Sequence, residues 1–444
     1  MKNSIEKLNH SDDKTFPSTG IERMSLFSKT KLLTLISGSI LGLVLSSGTA
    51  SPVQAQATSC PVEILSSPIY WNKNRLTAVK SQISAGGSDY KAAYEKLITE
   101  ADEALSKAPY TVTDKTKSGP SGDLKDYVSL ARYYWPNPKK EDGRPYIRKD
   151  GRTNPEINSI DFDRRRSQHM TDDVSSLALA AYFTGNKAYA DKVETFVRAW
   201  FLDEKTGMNP HLKFAQNVPG VTPGREFGIL DTRIYWDVMD SVLLLQSERM
   251  IDPSLVNELR GWFGRYANWL VTSEFGKKAS TKTNNHGVYY DAQLSHILMF
   301  AGRCDLAKKI IKKSHDRTKK QIDKTGLMPE EKKRTQSLFY HAFNLRAFLR
   351  LAYFAERLDV GFYDDAKKGA GSVKDSVDLV ASYADRIDEW PYEEINDNVE
   401  KSIWHMLVRA QIVDDSQSLK NAIETLDYAS NSDKTNLILG ISPK

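Results

Sequence analysis

With 444 residues, 40% hydrophobic and 27% charged side chains, the chain is long enough to bury a large core and too mixed in composition to be disordered or fibrous. Its formal charge of +5 includes no dense Lys/Arg run, which argues against a nucleic-acid groove and permits an anionic substrate. Length alone leaves one large domain or several smaller ones open.

Lys29 and Lys31 precede the apolar run Leu32–Leu45, which is followed by small residues ending in Val53-Gln54-Ala55 and Ala55-Gln56-Ala57. The run is short for a membrane span and reads as a secretory signal removed after Ala55 or Ala57, although the long segment before it also fits an uncleaved anchor. The body is expected outside the cytoplasm, secreted or periplasmic. Removing residues 1–57 takes away six Lys/Arg and four Asp/Glu and leaves +3. Cys60 and Cys304 are the only cysteines. They are equally consistent with one disulfide tying down the mature N-terminus and with two free buried thiols.

From about residue 88 the apolar spacing is helical. It predicts helices at 88–107, 235–249, 287–303, 305–322, 337–358, 372–385, 397–413 and 417–429. A helical hairpin turns at Thr184-Gly185-Asn186, and a further helix carries Leu259, Trp262, Phe263, Tyr266, Trp269 and Leu270 on one face. Two long irregular segments, 109–166 and 204–232, interrupt the helices, and ordered loops of that length are usually functional. The basic cluster Asp163–His169 reads as a solvated or carboxylate-binding loop. No linker composition follows residue 60 and no fixed-period repeat appears, so 58–444 reads as one domain.

Several chemistries lack their sequence supports. There is no His-Glu-x-x-His, Cys/His cluster, Gly-rich phosphate loop or Gly-x-Ser-x-Gly, so neither a metal nor a cofactor is expected. Asp172-Asp173 and Glu330-Glu331 keep a glycoside hydrolase open, with capping or surface roles as the plainer reading. Asn284, Asn285 and His286 stand at the mouth of a helix, where amides, an imidazole and free backbone N–H groups suit a carboxylate. A cap followed by a packed histidine explains them as well. Tyr289-Tyr290 reads as an exposed aromatic pair able to hold a sugar. Arg334, Thr335, Tyr340 and His341 open another helix, where a guanidinium beside Tyr340 would favour its phenolate, unless the ring is simply core.

Taken together, Asp126–Pro138, Gly143–Glu156, Phe201–Gly220, Gly224–Thr232, Asn284–Gln293 and Glu330–Leu345 resemble, in order, the alginate lyase domain of secreted polysaccharide lyases. The resemblance implies an all-α fold, an (α/α) toroid of helical hairpins around a deep cleft, and β-elimination on a β-linked polyuronate rich in mannuronate or glucuronate. By similarity, Asn285 and His286 hold the uronate carboxylate, Arg334 assists, and Tyr340 transfers the proton; His286 as base with Tyr340 as acid is the alternative. The same resemblance carries Tyr127, Tyr134 and Trp135 over as stacking residues, with Asn209, Gln216, Arg225 and Tyr290 as polar contacts. His211 replaces the family's usual asparagine and the run before Thr335 is unusually charged. The expected protein is a monomer acting on an anionic polysaccharide, with a hydrolase on the same scaffold or a non-catalytic polyuronate binder as the other readings.

Overall fold

The computed structural model describes residues 59–426, 428 and 432–441, so the expected signal segment lies outside the described residues. Two short helices, α1 (Val62–Leu65) and α2 (Lys73–Ser84), precede α3 (Lys91–Ser106). The segment expected to be irregular then supplies β1 (Val128–Leu130), β2 (Tyr134–Trp135) and β3 (Ile147–Arg148). The hairpin follows as α4 (Arg164–Thr184) and α5 (Lys187–Val197), and β4 (Phe214–Asn217) lies in the second irregular stretch. Next come α6 (Tyr235–Ser247), α7 (Pro253–Thr272), α8 (Glu274–Ser280), α9 (Asn285–Phe300), α10 (Cys304–Gln321) and α11 (Ser337–Arg357). The chain closes with α12 (Val373–Ala381), α13 (Val399–Ala410), α14 (Gln417–Thr425) and α15 (Thr435–Leu439).

The helix boundaries follow local chemistry. Gly185 ends α4 in the left-handed conformation (φ 74°) that glycine adopts without Cβ strain, and Asn186 then caps α5 by accepting the Ala188 N–H. Asp252 and Pro253 open α7, whose Leu259, Trp262, Phe263, Tyr266 and Leu270 are buried as the periodicity predicts; Trp269 packs only partly. Phe201, Tyr235, Trp262, Phe263 and Phe300 pack ring edge against ring face where α6, α7 and α9 meet.

One expectation fails. The basic cluster 163–169 is not a loop: it forms the first turns of α4. Asp163 is buried, pairs with Lys115 at 3.1 Å and accepts the Val128 N–H, so this turn joins β1 to the helical frame while Arg165, Gln168 and His169 stay exposed. Cys60 and Cys304 form a disulfide, fastening the start of the described chain to the first residue of α10.

The two irregular segments meet each other. β1 pairs with β4 in parallel, joining the two segments, while β2 pairs with β3 antiparallel within the first. That first segment reaches Tyr340 of α11 through Tyr133, and Arg334, just before α11, through Asp150.

Candidate active site

The N-terminus of α9 is built from both directions. Asn284 caps it, its Oδ1 accepting the His286 N–H at 3.2 Å. Arg317 of α10 clamps the approach by pairing with Asp291 and donating to the Lys282 carbonyl at 2.7 Å and the Ser280 carbonyl. Gly287 is needed in this bend because a Cβ there would lie 2.2 Å from the Lys282 carbonyl oxygen.

Asn285 is buried, and its role departs from expectation. Its backbone N–H donates to Glu331 at 2.8 Å, and its side-chain amide donates to both Glu331 oxygens at 3.0 Å. Those donors are therefore spent on an internal carboxylate and are not offered to a substrate. Burial pushes Glu331 up to about 7, against the lowering pull of the Asn285 hydrogen bonds and of Arg334.

His286 is half-buried, its ring edge-on to Phe227 with centroids 4.6 Å apart, and its Nδ1 makes no hydrogen bond among the described residues. Burial, reinforced by Arg225, Arg334 and Lys282, lowers its pKa to about 3. The imidazole is therefore neutral at ordinary pH and can meet a carboxylate with one N–H hydrogen bond but not with a positive charge.

Arg334 does supply charge. Its Nε and Nη2 grip Asp150 at 3.1 and 3.0 Å, while its guanidinium lies 3.8 Å from the centroid of the Tyr340 ring. Burial works against its charge, but Tyr340 and Asp150 outweigh that and hold it firmly protonated. The Tyr340 hydroxyl lies 2.6 Å from the hydroxyl of Tyr133. The expectation of a favoured phenolate is reversed: burial first, then Tyr133, raise Tyr340 above the ordinary tyrosine value despite Arg334. His341, next in sequence, is a core residue held neutral by burial beside the Gly326 carbonyl and the Ser376 hydroxyl.

Arg225 lies 4.9 Å from the ring centroids of both Tyr134 and Phe227 and donates from Nη2 to Gln216 at 3.1 Å, while its Nε has no hydrogen-bond partner among the described residues. Gln216 takes a left-handed backbone (φ 50°) and donates to Asp231, which Ser129 also bonds. Thus Tyr134, Gln216, Arg225, His286, Arg334 and Tyr340 belong to one site, linked by contact or by Arg334 and Arg225 acting on the same imidazole.

Other candidates fall elsewhere. Tyr127 and Tyr290 are buried, the latter donating to the Leu270 carbonyl at 2.9 Å, so neither presents a face to a sugar. Tyr289 is buried too, so the aromatic pair is not exposed; helix α9 runs through the core and is covered on nearly every side. Asn209 spends its amide on Asp123 and Asp126, bracing a loop together with His211. Trp135 is partly open, with Lys149 5.0 Å from its ring centroid. Of the carboxylate pairs, Asp173 meets Lys107 and Tyr110, Glu330 pairs with Lys333 and Glu331 holds Asn285. Tyr133 and Asp150 are site residues that sequence reasoning did not assign, and Glu331 is named there only as half of a possible hydrolase pair.

Comparison with known proteins adds the family. Residues 111–390 match the family model described as alginate lyase. No match is found among the curated proteins. Among solved structures, an alginate lyase from Bacteroides ovatus is 33% identical over 84% of this chain and 99% of its own, with a TM-score of 0.80. Alginate lyase A1-III from Sphingomonas species A1 shares 16% identity over 81% of this chain and 93% of its own at a TM-score of 0.52, a likeness of fold alone. The helical hairpins are those of an α/α toroid. With a family model spanning most of its length and a one-third-identical relative matched over 84% of it, this chain belongs to the alginate lyase family.

Proposed function

We propose that the protein is a polysaccharide lyase that cleaves an alginate-type polyuronate by β-elimination, with residues 58–444 as the lyase domain and the leader directing export. The observation that carries the mechanism is the Tyr133–Tyr340 hydroxyl contact beneath the Arg334 guanidinium, which also acts on His286. Elimination removes a weakly acidic proton next to the uronate carboxylate, and the charge that develops must be met by fixed donors. In this reading Arg334 and Arg225 meet the carboxylate, neutral His286 adds one hydrogen bond, and Tyr340 moves the proton. Asn285 and Glu331 set the position of the α9 N-terminus from behind.

Because burial keeps Tyr340 a neutral phenol at rest, it must release its proton to solvent before it acts as base, and the phenolate so formed accepts a hydrogen bond from the Tyr133 hydroxyl at 2.6 Å beside the Arg334 guanidinium. The phenolate takes the sugar's proton and, as the bond to the glycosidic oxygen breaks, passes that same proton to the departing oxygen, which regenerates the phenolate. One group can do both only where proton and leaving group lie on the same side of the ring, as in mannuronate and glucuronate. Guluronate, with the two on opposite faces, would need His286 as base and Tyr340 as acid. The substrate we favour is therefore a mannuronate-rich chain, with glucuronan as the alternative of the same stereochemistry, acted on by a monomer. No helix of the described residues is long and apolar enough to cross a membrane.

Incubation of the mature protein with mannuronan, guluronan, glucuronan and neutral glucans tests this. Rising ultraviolet absorbance from unsaturated uronate ends is expected on mannuronan. New reducing ends without that absorbance would mean a hydrolase, and neither signal a binder.

A further inference from the structure

A second group of cations lies further along α11. The Phe343 ring is 6.0 Å from that of Tyr340, and two guanidiniums flank it, Arg233 at 5.7 Å and Arg346 at 5.3 Å from its centroid. Tyr289 stacks on Phe343 at 4.4 Å and Trp236 on Tyr289 at 6.2 Å, giving the pair an aromatic floor.

Two like charges held over hydrocarbon repel and are poorly hydrated, so a protein normally sets a carboxylate between them. Neither arginine forms an ion pair among the described residues. Asp231 acts on Arg233 only from beyond ion-pair distance, with its oxygens occupied by Ser129 and Gln216. Arg233 donates to the Leu230 carbonyl at 2.9 Å and Arg346 bonds Tyr289, but Arg346 Nε makes no hydrogen bond among the described residues, and Arg233, Phe343 and Arg346 all keep part of their surface open. Arg132, the neighbour of Tyr133, adds its own charge to Arg233. The arrangement lacks an anion, and it sits one helical turn from the catalytic phenol.

We propose that Arg233 and Arg346 bind the carboxylate of the sugar adjacent to the one whose carboxylate meets Arg334, so that the enzyme reads two consecutive uronates. This rests on the lyase reading above. A uronate flanked by neutral sugars would leave the two guanidiniums unpaired and is a poor substrate.

The test compares wild type with Arg346→Gln, Arg233→Gln and Arg346→Lys on mannuronan and on a polymer alternating glucuronate with a neutral sugar, following ultraviolet absorbance and thermal melting. Loss of one charge-assisted contact is expected to raise KM for mannuronan about tenfold, with kcat less affected, in each glutamine variant. Arg346→Lys should recover part of that loss, and wild type should prefer mannuronan over the alternating polymer. Melting identifies any variant that misfolds, in which case the other glutamine variant decides. Unchanged KM in a folded glutamine variant, or equal turnover of both polymers, overturns the second carboxylate site while leaving the lyase reading standing. No elimination by wild type on any uronate polymer overturns both.

Discussion

His286 sits among Arg225, Arg334 and Lys282, and burial together with those cations keeps its imidazole neutral down to about pH 3. Tyr340 is likewise held as a phenol by burial. The positive charge of the site therefore rests on guanidiniums, and in the mechanism proposed above proton movement falls to Tyr340, which has a second tyrosine hydroxyl at 2.6 Å. Tyr340→Phe should lower elimination by about 10²–10⁴-fold, the usual worth of a positioned proton-transfer group, with melting little changed; initial rates by absorbance check this. Glu331 makes a stability prediction. Its folded pKa of about 7 lies above the ordinary glutamate value, so the native state keeps a proton that the unfolded chain has already released. Its contribution is most favourable below the ordinary value and is lost as pH rises through about 7. The melting temperature of Glu331→Gln should therefore fall less than that of wild type between pH 5 and 8, as calorimetry across that range would show.

The α9 N-terminus shows how far an element can be read from its residues. Asn284, Asn285, His286 and Gly287 announce a capped helix mouth in sequence, and Arg334 and Tyr340 a second helix start. What spacing could not show is where the donors point: Asn285 turns inward because its carboxylate partner is Glu331, in another segment. Tyr133 and Asp150 stayed hidden because they meet Tyr340 and Arg334 across 207 and 184 residues, through a loop with almost no periodic signal. Tyr127 and Tyr290 look like sugar platforms in one dimension, but α9 is covered almost all round and the start of β1 packs into the core. Gly287→Ala is expected to force the 280–284 bend away from Arg317, because the new Cβ would stand 2.2 Å from a backbone oxygen. Since that bend aims His286, turnover should fall more than tenfold; steady-state kinetics paired with circular dichroism separates this from loss of the helix.

At the scale of the molecule, the Cys60–Cys304 bond closes a loop of 244 residues that includes α9 and both long irregular segments. Cross-links of this kind are typically worth about 2–4 kcal/mol, chiefly by restricting the unfolded chain. Replacing both cysteines with serine should lower the melting temperature while leaving kcat at 25 °C close to wild type, because neither sulfur touches the site. The fold class was legible throughout, since helical periodicity repeats along most of the chain; the pairing of the two loops was not, since it depends on contacts made only once those helices are in place.

The arm between β1 and β3 carries Tyr133 and Tyr134 and reaches on to Asp150, the anchor of Arg334, while its outward turn at Lys139-Lys140 is exposed. Brief trypsin treatment should nick that turn before any helix is cut. The nicked enzyme would melt almost like the intact one yet lose catalysis, because the severed ribbon holds the phenol's partner and the guanidinium's anchor together. Heat resistance and turnover would then be lost at different doses of protease, which divides the molecule into a frame that endures and a strap that works.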